Sequence, residues 1–215
     1  MSNYKYILFD FDGTLTDSSE GIFKSLTYAF DIYGHGTPPD DLLKKFIGPP
    51  LYHSFTVYCG FDDKHAKEMT DKYRERYRKI GYLESRLYDG IAETLKNLKE
   101  QGYILATASS KPLLFVDQIC ENLGIKKYFD FLGGTEFDNT SERKATVIEN
   151  AMKNIGATHE ETLMIGDTKF DIEGAHQVGI PCCAVTYGFG TMEDFKEYNA
   201  EYIVEKAEEI LDIVK

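Results

Sequence analysis

Apolar residues fall along this chain in two rhythms. Short dense runs at Tyr6–Phe9, 103–108, 129–132, 162–165, Cys182–Val185 and Tyr202–Val204 read as buried strands. Helical periodicities separate the later runs, at 91–101, 113–123, 144–154, 172–178 and 207–214. Strands alternating with helices predict βαβ units, and so an α/β fold: a Rossmann-like parallel sheet with helices on both faces.

The second rhythm interrupts the first. After the opening strand, Asp17-Ser18-Ser19-Glu20 has the form of a helix start, with Glu20 three residues after Asp17 in capping-box spacing. Helical spacing runs through Ile22, Phe23, Leu26, Ala29 and Phe30 and stops at Gly34-His35-Gly36-Thr37-Pro38-Pro39. Further helical stretches follow at 41–46, 51–58 and 63–80, with a turn at Gly48-Pro49-Pro50 and no strand pattern between them. Residues 16–85 are therefore expected to form a small all-helical module. It is inserted after the first strand of a core made of residues 1–15 and 86–215.

Composition narrows the class. The 215 residues suffice for one substantial core and a small second module. A net charge of −12 disfavours nucleic acid or an anionic membrane as partner, so an anionic substrate would need local basic groups or a metal. The N-terminus lacks a basic segment followed by a long apolar run, and no apolar stretch approaches membrane-spanning length. Cys59, Cys120, Cys182 and Cys183 show no zinc-like spacing and read as free thiols in a reducing cytosol. The expectation is a cytoplasmic protein, a monomer or weak homo-oligomer.

Candidate chemistry gathers where strands end. The first strand delivers Asp10 and Asp12, one residue apart, and then Gly13. Adjacent carboxylates repel, and Mg2+, which prefers a few carboxylates with phosphate oxygens and water, offsets that. Alone, the pair equally suits a turn cap. Gly13 permits a bend that exposes main-chain N–H groups to an anion. After the second strand come Ser109, Ser110, Lys111 and Pro112, which suit a phosphate oxygen at a helix start or an ordinary serine N-cap. Lys144 lies in a first helical turn, where the helix dipole disfavours a cation; near phosphate and carboxylates it would act as a point charge. Asp167, after Gly166, and Asp171 project to one side of another helix start, as ligands or as caps. In a parallel sheet these strand ends converge on one crevice. Four acids, a hydroxyl and a lysine there describe a magnesium and phosphate site.

In this order the residues resemble the haloacid dehalogenase superfamily of phosphatases. Asp10-Phe11-Asp12-Gly13-Thr14-Leu15 matches its first motif, Ser109 the second, Lys144 the third, and Gly166-Asp167 with Asp171 the acidic fourth. Tyr88-Asp89-Gly90 and Ser109-Ser110-Lys111-Pro112 look like the phosphoglycolate phosphatase group, although that group often has threonine where Ser109 stands. Residues 143–148 and 164–172 look more like a 5′-nucleotidase-like branch.

The resemblance implies Mg2+-dependent hydrolysis of a small phosphorylated metabolite. Asp10 would be the nucleophile that forms an aspartyl-phosphate, and Asp12 the general acid and base. Mg2+ would be held by Asp10, the Asp12 main-chain carbonyl and Asp167, with Asp171 a ligand or its neighbour. Ser109, Ser110, Lys144 and backbone N–H groups such as that of Gly13 would hold phosphoryl oxygens. Lys111, a rival to Lys144, is expected only to flank the site. The helical insert looks like the family's small cap, where the turn Gly48-Pro49-Pro50-Leu51 with Tyr52 and His53 is a candidate selector of substrate, or an ordinary turn beside a solvated histidine. A phosphomutase of the same fold, similar to β-phosphoglucomutase, and a non-enzymatic Asp-phosphorylated switch module are the alternatives. Dehalogenation is disfavoured, because Asp12 supplies an acid/base it does not need.

Overall fold

The computed structural model describes residues 4–49, 51–136 and 143–215. Pro50, expected in a turn, and Ser141 and Glu142, expected at a helix start, lie outside the described residues. In chain order the first elements are β1 (Tyr6–Phe9), β2 (Thr16–Asp17), α1 (Ser19–Ile32), α2 (Asp40–Lys44), α3 (Leu51–Cys59) and α4 (Asp63–Tyr77). Next come β3 (Arg86–Leu87), α5 (Ile91–Glu100), β4 (Ile104–Thr107), α6 (Leu113–Asn122) and α7 (Lys144–Ile155). The last are β5 (Thr162–Gly166), α8 (Lys169–Val178), β6 (Cys182–Val185), α9 (Met192–Glu197), β7 (Tyr202–Val204) and α10 (Ile210–Val214). The chain divides into two units, Ser18–Arg86 and the remainder, Met1–Asp17 with Leu87–Lys215.

The second of these is an α/β unit around a five-stranded sheet of order β4-β1-β5-β6-β7, parallel throughout. β1 and β5 are buried along their whole lengths. A parallel strand covered on both faces has no solvent side, which is why these runs are apolar without alternation. Register aligns Leu8 with both Ala106 and Met164, and Met164 with Cys182, so one apolar row crosses four strands. Val147, Ile148, Ile172 and Ala175, from α7 and α8, complete the core on that face. Each of these helices shows its apolar residues at helical spacing and ends at a left-handed glycine, Gly156 or Gly179.

Three features differ from expectation. Residues 129–132 do not form a strand; only Phe131 makes an isolated parallel bridge, to Ala106. Backbone bonds join Asp130 N–H to the Leu105 carbonyl at 2.8 Å and Thr107 N–H to the Phe131 carbonyl at 3.1 Å, and side chains share the contact: Asp130 Oδ2 accepts the Leu105 N–H at 2.9 Å, and the Thr107 hydroxyl bonds both the N–H and the carbonyl of Gly133. The helix start expected at Asp17 is also shifted: α1 takes Ser18 as its N-cap, with no side-chain cap hydrogen bond. Asp17 belongs to β2, which pairs with β3, while Glu20 accepts from Lys24 at 2.5 Å. Finally, α9 was invisible as a six-residue helix with one buried residue, Phe195; Thr191 caps it by accepting the Asp194 N–H.

The helical unit, Ser18–Arg86, holds α1 to α4 and a 3-10 turn at Gly81–Leu83. Its interior is aromatic, with Phe55 within ring contact of Phe30, Phe46 and Phe61. Asp62 caps α4 by accepting the His65 N–H at 2.8 Å. Tyr52 donates to Asp63 at 2.7 Å within the same unit. Arg76 grips Glu84 through both terminal nitrogens, at 2.8 and 3.0 Å, and so ties α4 to the segment after the turn. Gly21 lets α1 approach that turn, since a Cβ there would collide with the Gly81 carbonyl. Gly21→Ala should therefore destabilise the protein by about 1–3 kcal/mol through overpacking. Urea unfolding followed by circular dichroism tests this; an unchanged midpoint would refute the close approach.

Candidate active site

From β1 the chain passes to β4 on one side of it and later returns to β5 on the other, so strand order reverses between β1 and β5. At such a point the connections diverge and leave a crevice at the C-terminal strand ends. Asp10 follows β1 directly and Asp167 follows β5 directly, so both carboxylates stand at this crevice. The Asp10 N–H donates to the Ile165 carbonyl at 2.8 Å, which extends the β1–β5 ladder to the crevice.

Lys144 is the central contact. Its ammonium reaches Asp10 Oδ1 and Asp171 Oδ1, both at 2.6 Å, with the lysine side chain 8% exposed. Asp171 Oδ2 meanwhile accepts the N–H of Asp167, at 3.2 Å, and both the N–H and the hydroxyl of Thr168, at 2.9 and 2.8 Å. The sequence left Asp171 between ligand and cap. In the structure it caps α8 with one oxygen and steadies Lys144 with the other. Asp167 is fully buried; Thr14 donates to its Oδ1 at 3.1 Å and the Phe189 N–H to its Oδ2 at 2.9 Å.

Glycines make this density possible. A Cβ at Gly13 would collide with the Asp167 carboxylate, and one at Gly188 with Asp167 and the Gly13 carbonyl. Gly13 also has φ +88°, in the region that favours glycine. Its own N–H, expected to face phosphate, is instead spent on the Thr16 carbonyl at 2.8 Å. The tight turn that brings Thr14 to Asp167 consumes that donor.

Ser109 is buried, and its Oγ accepts the Lys111 N–H at 3.2 Å, which leaves its hydroxyl proton to donate. Ser110 is exposed, and its carbonyl accepts from the Thr135 hydroxyl. Lys111 does more than flank the site. Its ammonium meets both Asp12 oxygens, at 3.0 and 2.9 Å, with its side chain only 5% exposed. Sequence reasoning missed this contact, and it missed Thr14, Thr168 and Phe189 as partners of the acids. The one available signal was Gly188-Phe189-Gly190 soon after β6, since glycines near a strand end allow close backbone approach.

Oxygens of Asp10, Asp167 and Asp171 all lie within 4.8 Å of one another. Burial, and after it the neighbouring carboxylates, push the acids up: Asp10 to about 6, opposed by Lys144, and Asp167 well above the usual carboxylate range. Burial pulls Lys144 down, but Asp10 and Asp171 together more than reverse that and hold it above its ordinary value. Three buried acids facing one lysine leave an excess of negative charge. Oxygen donors in such a cluster fit a hard divalent cation such as Mg2+. Among the described residues, no helix is long and apolar enough to cross a membrane.

Comparison with known proteins agrees with this geometry. Residues 7–185 match the family model described as haloacid dehalogenase-like hydrolase. A 5′-nucleotidase of Pseudomonas aeruginosa is 40% identical over 195 residues, 91% of this chain and 88% of that protein. The tyrosine-protein kinase PtkA of Mycobacterium tuberculosis is 32% identical over 94% of this chain and 68% of its own length. A phosphoglycolate phosphatase of Vibrio parahaemolyticus is 29% identical over 98% of this chain and 96% of its own. Among solved structures, a predicted phosphatase from Clostridium acetobutylicum superposes with a TM-score of 0.91 at 40% identity, covering 98% of each chain.

The charge arrangement predicts a stability effect. Lys144→Ala would leave Asp10 and Asp171 buried without their cation, a change that costs about 3–5 kcal/mol when a buried ion pair loses one partner. Denaturant unfolding in EDTA measures it. An unchanged midpoint would contradict the bridging role.

Proposed function

This chain belongs to the haloacid dehalogenase-like hydrolase family, and we propose that it is a Mg2+-dependent phosphatase that hydrolyses a small phosphomonoester through an aspartyl-phosphate on Asp10. The observation that carries this is the Lys144 bridge at the strand-order reversal. It pins Asp10 Oδ1 at 2.6 Å, and among the described residues Oδ2 accepts no hydrogen bond. In this reading Oδ1 stays with Lys144 and Oδ2 attacks phosphorus.

Asp10, Asp167 and the main-chain carbonyl of Asp12 would hold Mg2+, which supplies positive charge to the phosphoryl oxygens. Lys144 supplies a second positive charge, and the Ser109 hydroxyl donates to a phosphoryl oxygen. In the first half-reaction Asp10 Oδ2 forms a bond to phosphorus as the bond to the leaving oxygen breaks, and protonated Asp12 gives its proton to that oxygen. In the second, the Asp12 carboxylate takes a proton from water, whose oxygen displaces Asp10 from phosphorus. Inorganic phosphate leaves, and both aspartates return to their starting states.

Among monoesters, nucleoside 5′-monophosphates rank first, because the relative named 5′-nucleotidase is 40% identical against 29% for the phosphoglycolate phosphatase; 2-phosphoglycolate ranks second. A second reading, transfer of the phosphoryl group to an acceptor other than water, draws on the relative named as a kinase. It keeps the first half-reaction and changes only the acceptor.

Three outcomes test the proposal. Exhaustive chelation should abolish turnover and added Mg2+ restore it; full activity in EDTA would remove the metal. Asp10→Asn should lose both turnover and phosphate labelling. Asp12→Asn should lose about 10²–10⁴-fold in turnover, the worth of one general acid/base, while still accepting phosphate from p-nitrophenyl phosphate. Mass spectrometry after a denaturant quench should then find the phosphate on Asp10. Phosphate on any other residue would overturn the mechanism.

A further inference from the structure

We infer that Lys111 is a positioning residue that holds the Asp12 carboxylate in its working orientation, an inference that rests on the acid/base role proposed for Asp12. The two contacts at 3.0 and 2.9 Å place one ammonium between both carboxylate oxygens. That geometry restricts rotation of the Asp12 side chain far more than a single hydrogen bond would. Each carboxylate oxygen has a second lone pair, which can carry the proton.

The fold invests in this lysine. A buried ammonium loses its hydration and is tolerated only where partners compensate. The Lys111 stem is covered, and its Nζ lies 5.9 Å from the centre of the Phe11 ring, between Asp10 and Asp12 in sequence. Its backbone is clamped on both sides. The Lys111 N–H donates to Ser109 Oγ, and the Lys111 carbonyl accepts the Thr135 N–H at 3.1 Å. Gly134 permits that approach, since a Cβ there would lie 2.7 Å from the Lys111 carbonyl oxygen. The segment 133–135 therefore braces the lysine, the lysine braces Asp12, and Ser109 sits in the same network.

Lys144 and Lys111 thus have separate clients, Asp10 and Asp12. Loss of Lys144 should affect bond formation to phosphorus with every substrate. Loss of Lys111 should matter in proportion to how much proton help the leaving oxygen needs. Release of p-nitrophenolate needs little; release of a nucleoside or alkyl alcohol needs a full proton.

The test compares kcat/KM for p-nitrophenyl phosphate and an alkyl phosphate in the Mg2+-loaded protein. The variants are Lys111→Met, Lys111→Arg, Asp12→Asn and Lys111→Met with Asp12→Asn. Lys111→Met should lose about 100-fold on the alkyl ester and about tenfold or less on the aryl ester, and Lys111→Arg should recover part of the loss. In the Asp12→Asn background, Lys111→Met should cost little more, because a residue that acts through Asp12 has nothing left to position. Equal losses on both esters, or full additivity with Asp12→Asn, would overturn the inference. If Lys111→Met does not fold, Lys111→Arg carries the same leaving-group comparison. Failure of the parent reading looks different, since Asp12→Asn itself would then show no leaving-group dependence.

Discussion

Everything at the crevice depends on one electrostatic constraint: three buried carboxylates within 4.8 Å of one another, with Lys144 set between two of them. Like charges in a low-dielectric interior oppose folding, and each acid here is compensated by a specific donor. Lys144 serves Asp10 and Asp171, the start of α8 serves Asp171, and Thr14 and Phe189 serve Asp167. A lysine at the first position of α7 sits against the helix dipole. It is held there because two carboxylates outweigh that dipole, and because Gly174 on α8 leaves room for its stem. A Cβ at Gly174 would lie 2.7 Å from Lys144 Cγ. The packing of α7 on α8 and the charge balance of the site are therefore one arrangement.

The same logic recurs beside it in simpler form. Asp10 and Asp12 are separated only by Phe11, yet their cations arrive from different segments, Lys144 at the start of α7 and Lys111 just before α6. Two carboxylates with different cationic partners are placed in different environments, and that allows different chemical duties. All of these residues lie within Met1–Asp17 and Leu87–Lys215. The α/β unit alone contains the set. Relatives of this chain carry names that denote different phosphoryl chemistries while sharing much of its length, which fits a fold that supplies the carboxylates and leaves the choice of reaction partner to local detail.

Much of this is legible in the sequence. The apolar runs at β1, β5, β6 and β7 and the helical periodicities of α5 to α8 specified a parallel α/β sheet, because strands buried on both faces and helices buried on one leave unmistakable patterns. The acids were legible as well. Asp10, Asp12 and Asp167 each stand at or just past a strand end in sequence, and a parallel sheet gathers those ends.

What the sequence could not determine was which charge meets which. Lys111 follows a strand, Lys144 follows a run that reads as one, and both open a helix region, so spacing did not separate them; only the approach of Asp12 to one and Asp10 to the other did. Asp171 as a helix cap and lysine partner, Gly13 with its N–H spent within its own turn, and the failure of residues 129–132 to pair as a strand are decisions of the same kind. Periodicity is local, and reports which face of an element is buried. Long-range hydrogen bonds and ion pairs, such as that between Thr14 and Asp167, 153 positions apart, depend on where the sheet places two backbones, and only the folded chain fixes that.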